Sequence, residues 1–175
     1  MIKLFEQFNN EQEIHEICKK YNIKNYTINP DGSIDVDGDI DLGYRTLYKL
    51  PLNFNRVNGS FFCYGNSLSN LENSPVEVNG DFDCYDSSIK SLIGSPIIVS
   101  KDLILSDNPI SIVDSSIEVY GYIHIDDTNF DDKIKSLSQD KLRILFEHAV
   151  DYDIFRKDGS VNDSRLKRLF KDFNI

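Results

Sequence analysis

The chain has 175 residues, of which 40% are hydrophobic and 27% charged, and its formal net charge is −10; this suits one soluble domain large enough to bury a core. Apolar runs are only a few residues long, so no segment reads as a membrane span, and three cysteines without a CxxC pair argue against a disulfide framework or a zinc site. Residues 36–127 hold 14 acids against 5 bases, a balance that argues against binding nucleic acid through its phosphates and fits either a basic protein partner or simply a soluble surface.

From the start, MIKLFEQFNNEQEIHEI lacks the apolar stretch of a signal peptide, so the expected location is cytoplasmic. Ile14, Ile17, Cys18 and Tyr21 recur at helical spacing, with Asn10 as the N-cap, which predicts an amphipathic capping helix. Tyr26–Ile28 and Ile34–Val36 flank NPDG and predict a hairpin around a tight turn. Asp35, Asp37, Asp39 and Asp41 then alternate around Gly38 in a partial imitation of a calcium loop. Ser33 and Tyr44 stand where the first ligand and the bidentate Glu belong, so no metal is expected. The alternation reads instead as the outward side of a strand.

Val36, Val57, Val78, Val99 and Val119 open successive copies of one pattern at spacings of 21, 21, 21 and 20 residues, the last copy partial. Self-similarity at that period marks a solenoid. Its aligned columns are apolar throughout: the valines; Ile40, Phe61, Phe82, Leu103 and Ile123; Leu42, Cys63, Cys84, Leu105 and Ile125; Leu47, Leu68, Ile89, Ile110 and Phe130; Leu50, Leu71, Leu92 and Val113. These positions should point inward and stack into one core. Gly38, Gly59, Gly80 and Gly121 share a position before the strand, with Lys101 the exception, which calls for a special backbone conformation or a close approach.

The stretch F-x-C-x-x-N-x-L-x-x-L at 61–71 resembles the leucine-rich-repeat core, and the later SP at 74–75 and 95–96 and LP at 50–51 resemble its short bacterial class. The asparagine position is kept as Asn66 and Asn108 but is Arg45, Ser87 and Thr128 elsewhere, so a regular asparagine ladder is not expected. YTINPDGSIDVDGDIDL, VNGDFDC and SLIGSP are similar to leucine-rich-repeat-like proteins encoded by tailed bacteriophages. The expected fold is an α/β repeat: a helical cap and hairpin at 1–35, a leucine-rich-repeat-like solenoid of about five rungs with one parallel sheet at 36–130, and a helical cap at 131–175. In that cap Ser138 begins a helix whose face is Leu142, Leu145, Phe146 and Ala149. A turn at KDGS precedes a second helix with Leu166, Leu169, Phe170 and Phe173 on one side, and Arg165, Lys167, Arg168 and Lys171 mostly on the solvated other.

Chemistry is scarce. His15, His124 and His148 lie far apart, and an acid–base pair would need His124 with Asp83 or Asp126, without a nucleophile or an orienting shell. Bacterial leucine-rich-repeat effectors with a ubiquitin-ligase domain carry a catalytic cysteine after the repeats, but here no cysteine follows Cys84. What remains is a surface made of outward ladders: Asp39, Ser60, Asp81, Asp102, Tyr122; Asp41, Phe62, Asp83, Ile104, His124; and Gly43, Tyr64, Tyr85, Ser106, Asp126. Partner binding is expected at Asp41, Phe62, Tyr64, Asp81, Asp83, Tyr85, Asp102, Ile104 and His124, where aromatic anchors supply area and acids steer a basic protein. The expectation is a non-enzymatic interaction module without a cofactor. The phage resemblance implies an inhibitor of a host or defence protein, or alternatively a structural, virion-associated protein.

Overall fold

The computed structural model describes residues 2–175, with side chains from residue 11 onward. Helix α1 spans Ile2–Lys20, so Asn10 lies within it rather than at its N-cap. Ile14 and Cys18 are buried, and Ile17 and Tyr21 pack half-buried beside them. Lys19 and Lys20 occupy its last turn, where cations favour the carbonyl end of the helix dipole. Strands β1 (Tyr26–Ile28) and β2 (Ile34–Val36) form the expected antiparallel hairpin, with Thr27 opposite Asp35. Its turn closes through the Gly32 N–H donating to the Asn29 carbonyl at 2.9 Å, with Gly32 at φ +83.

From Ile34 onward the chain winds as a solenoid whose turns each carry two very short strands, β3 (Ile40–Asp41), β4 (Phe54–Val57), β5 (Phe61–Phe62), β6 (Glu77–Val78), β7 (Phe82–Asp83), β8 (Ile98–Val99), β9 (Leu103–Ile104), β10 (Glu118–Val119) and β11 (Ile123–His124). The even-numbered strands from β2 to β10 stack in parallel as one sheet, edged by β1, and the odd-numbered strands from β3 to β11 stack in parallel as a second. The single sheet expected from sequence is therefore two, and the winding amounts to about four turns.

The glycine column is the corner between the sheets. A Cβ on Gly59 would sit 2.5 Å from the Gly38 carbonyl carbon, one on Gly80 2.6 Å from that of Gly59, and one on Gly121 2.5 Å from that of Lys101. Successive turns touch backbone to backbone at these three glycines, which leaves no room there for a side chain, whereas Gly38 has open space around a Cβ and Lys101 carries its side chain at the same repeat position.

All the expected inward residues are buried except Leu47, which is half-buried at the first level. Stacking in register brings Phe61 parallel to Phe82, 5.6 Å apart between centroids, with Phe54 edge-on to Phe61 at 5.1 Å. Phe54, Pro75, Pro96 and Ile117 are also buried, a further inward column that the sequence reading left out.

One polar column is buried as well. The Asn66 amide oxygen accepts the N–H groups of Arg45 and Leu47, at 3.2 and 3.0 Å. Its nitrogen donates to the carbonyls of Leu42, Cys63 and Tyr64, at 2.9, 2.8 and 3.2 Å. Asn108 repeats this pattern two turns on, accepting from Ser87 and Ile89 and donating to Cys84, Leu105 and Ser106. Between them the Ser87 hydroxyl donates to the Cys63 carbonyl at 2.8 Å. The asparagine ladder is thus continued through serine, because a hydroxyl can serve the carbonyl that an amide would reach.

After β11 come α2 (Asp132–Lys135), α3 (Gln139–His148) and α4 (Asp163–Asp172). Ser138 precedes α3 as expected, but its side chain makes no cap bond. Gln139 does the sealing: its amide accepts the Ile123 N–H at 2.8 Å and donates to the Ile123 carbonyl at 3.0 Å, so it pairs with the last strand as another strand would. Leu142, Leu145, Phe146 and Ala149 are buried, as are Leu166, Leu169 and Phe170. Phe173 departs from the expected face; it is partly exposed and stacks on His148 at 4.5 Å. Among the described residues, no helix is long and apolar enough to cross a membrane.

Candidate functional site

Three of the four alternating aspartates, Asp35, Asp39 and Asp41, accept backbone N–H groups of the chain. At the corner, the side chains of the first ladder each accept the N–H of the next residue in it: Asp39 from Ser60 at 2.7 Å, Ser60 from Asp81 at 3.0 Å, Asp81 from Asp102 at 3.1 Å, and Asp102 from Tyr122 at 2.8 Å. Asp35 accepts from Asn55 at 2.7 Å and from the Arg56 N–H at 3.1 Å, and Asp41 from the Gly43 N–H at 2.9 Å. Asp35, Asp39 and Asp41 therefore face separate backbone donors instead of converging on one centre. Asp81 and Asp102, expected as free partner contacts, are half-buried at the corner and each spends one carboxylate oxygen within the chain.

The second and third ladders form the outward face of the β3–β11 sheet. Strand register places Asp83 between Phe62 and Ile104. Burial pushes the Asp83 carboxyl upward, a shift opposed by the bond it accepts from the Tyr85 N–H and aided by repulsion from Asp81. Tyr64 lies over Gly43, where a Cβ would meet its Cζ at 2.5 Å. Its ring meets Tyr44 edge-on at 5.3 Å and Phe62 at 6.2 Å. Nearby Asp41 raises the Tyr64 phenol. Tyr44, Tyr85 and Tyr122 are exposed, while Phe62, Tyr64, Ile104 and His124 are half-buried.

The sequence reading missed Tyr44, Asp107 and Asp127 as members of this face. Tyr44, Gly65, Asp86, Asp107 and Asp127 follow the strands at one repeated position, and all have left-handed φ, at 53, 64, 47, 56 and 53°. Glycine and aspartate tolerate that conformation better than most residues, so their recurrence at one place in the repeat was the available signal.

Toward the C-terminal end of the face lies a shallow depression lined by Tyr85, Ile104, Ser106, Asp107, His124, Asp126 and Asp127. His124 Nε2 stands 3.4 Å from Asp102 Oδ2, so the carboxylate it contacts is that of Asp102 rather than the expected Asp83 or Asp126. Cys63 and Cys84 are fully buried, and the Cys63 thiol is pushed well up by its hydrogen bond with Cys84 and by burial, which leaves it a poor nucleophile. On α4, Arg165 pairs with Asp153 and Arg168 lies 3.5 Å from Asp172, so part of the basic side is engaged within the chain. No family model matches the chain, and no curated protein or solved structure shows significant similarity to it.

Proposed function

We propose that this protein is a non-enzymatic interaction module that holds a basic protein partner against the outward face of its β3–β11 sheet. The observation that carries the reading is the aromatic row on that face. Tyr44, Tyr85 and Tyr122 are exposed, Phe62 and Tyr64 half-buried, and none belongs to the inward columns that make the core. Rigid rings fixed on a sheet supply contact area at small entropic cost, and the carboxylates among them favour Lys and Arg on the partner. The leucine-rich-repeat-like columns and the likeness to tailed-phage proteins support a finer reading. In it, the protein acts in the cytoplasm of a bacterial host and occupies the basic surface of a host or defence protein.

The test is affinity capture from bacterial lysate with the wild type and the Phe62→Ala/Tyr64→Ala/Tyr85→Ala variant, eluted with rising salt. Wild type should retain a basic protein that salt releases, and the variant should lose it. Equal capture of the same protein by both, or retention of an acidic one, would refute the reading.

A further inference from the structure

The depression beside Tyr85 gathers carboxylates around an aromatic ring and an aliphatic side chain. Its lining contains the carboxylates of Asp107, Asp126 and Asp127 and no Lys or Arg. Asp107 and Asp127 hold the repeated left-handed position on successive turns, and both line the depression. The backbone ties Asp107 to Asp126 of the next turn, since the Asp107 N–H donates to the Asp126 carbonyl at 3.0 Å. Like charges so placed repel one another until a cation joins them. Ile104 offers an apolar surface, and the Tyr85 ring, 40% exposed, forms a wall. The Asp107 carboxylate beside the Tyr85 hydroxyl raises that phenol, which keeps it neutral and able to donate.

Ser106 supplies the independent observation. It is only 9% exposed, it lines the depression, and its hydroxyl has no hydrogen-bond partner among the described residues. That oxygen is open to the depression rather than sealed off, since Ser74 Oγ is the one fully buried side-chain oxygen without a partner among the described residues, so an incoming group can reach and satisfy it.

We infer that this depression is a receptor for an arginine side chain of the partner, with the guanidinium against Tyr85 and its N–H groups donating to Asp107, Asp126 and the Ser106 hydroxyl. The inference rests on the proposed binding face and adds the chemistry of its anchor. Arginine fits better than lysine or a metal ion for three reasons. Its planar cation is weakly hydrated and tolerates Ile104. It stacks on an aromatic ring. It also presents several donors in a fixed fork, which suits acceptors spread around a shallow bowl. A divalent cation would need carboxylates converging on one point, and would gain nothing from Tyr85 or Ile104.

The experiment titrates two short peptides of equal length and charge, one with arginine and one with lysine, into 15N-labelled protein. Affinity and amide shifts are followed together. The arginine peptide should move Tyr85, Ser106, Asp107 and His124, and should bind more tightly than the lysine peptide. Asp107→Asn and Asp126→Asn should each weaken the arginine peptide by about tenfold, the loss of one charge-assisted contact. Asparagine keeps the left-handed backbone at residue 107, so the fold and melting temperature should be preserved. Ser106→Ala should narrow the preference for arginine over lysine. Equal affinity for the two peptides, shifts confined to Phe62 and Tyr64, or displacement of the arginine peptide by millimolar calcium chloride would each overturn the inference. If Asp107→Asn/Asp126→Asn captures the lysate partner as well as wild type does, while Phe62→Ala/Tyr64→Ala does not, the arginine pocket falls and the binding face stands.

Discussion

Asn66→Ala tests whether the buried polar column holds successive turns together. In the native chain the Asn66 amide satisfies two backbone N–H groups of the preceding turn, Arg45 and Leu47, and reaches three carbonyls, those of Leu42, Cys63 and Tyr64. Arg45 is exposed, so water can replace its bond, and the Cys63 carbonyl keeps the Ser87 hydroxyl; Leu42 is fully buried and Leu47 half-buried, so the groups they leave are harder to hydrate. At roughly 1 kcal/mol or slightly more for each of these two orphaned groups, the loss comes to about 2–3 kcal/mol. Asn66→Asp keeps the acceptor for both N–H groups but sets a carboxylate against carbonyls, so it should be no more stable than the alanine variant. Urea unfolding followed by circular dichroism, with the slope of the transition unchanged, reads the difference from the midpoint. An Asn66→Ala loss below about 1 kcal/mol, or an Asn66→Asp variant as stable as wild type, would show that the column is not what couples the turns.

Three other expectations follow from the same geometry. Phe82→Ala removes a fully buried ring stacked on Phe61 and should cost about 3–5 kcal/mol; a near-wild-type melting temperature would contradict its inward placement. Gly80→Ala puts a Cβ 2.6 Å from the Gly59 carbonyl carbon and the Ser60 nitrogen, and should destabilise by about 3 kcal/mol in the same urea assay, whereas an unchanged midpoint would show that the turns can separate there. Asp83 is pushed up mainly by burial, so the native state holds its proton more tightly than the unfolded chain does, and its ionised form weakens folding above that raised range. Asp83→Asn keeps an acceptor for the Tyr85 N–H and should raise the urea midpoint at pH 7, with the gain vanishing on acidification below the ordinary carboxylate range; a lower midpoint at pH 7 would refute this.

The sequence by itself determined the winding. The valine column recurs every 20 or 21 residues, and Ile40, Phe61, Phe82, Leu103 and Ile123 each stand two residues before a second inward position, at Leu42, Cys63, Cys84, Leu105 and Ile125. A strand of period two can bury such residues only by stacking each copy on the last. The caps were legible for a similar reason, since Leu142, Leu145 and Phe146 fall on one helical face whatever lies beside it. Tertiary structure decided what repetition leaves open. Gly59 and Gly80 signalled a constraint, but only contact between turns shows that they make a corner and so divide each copy between two sheets. Asp39, Asp81 and Asp102 read as outward charge, and outward they are; but the corner leaves the next turn's N–H within reach, and each carboxylate takes it. Alternation specifies which side of a strand a residue occupies, whereas the partner it meets there depends on distances across the stack, which lie between residues some 20 positions apart.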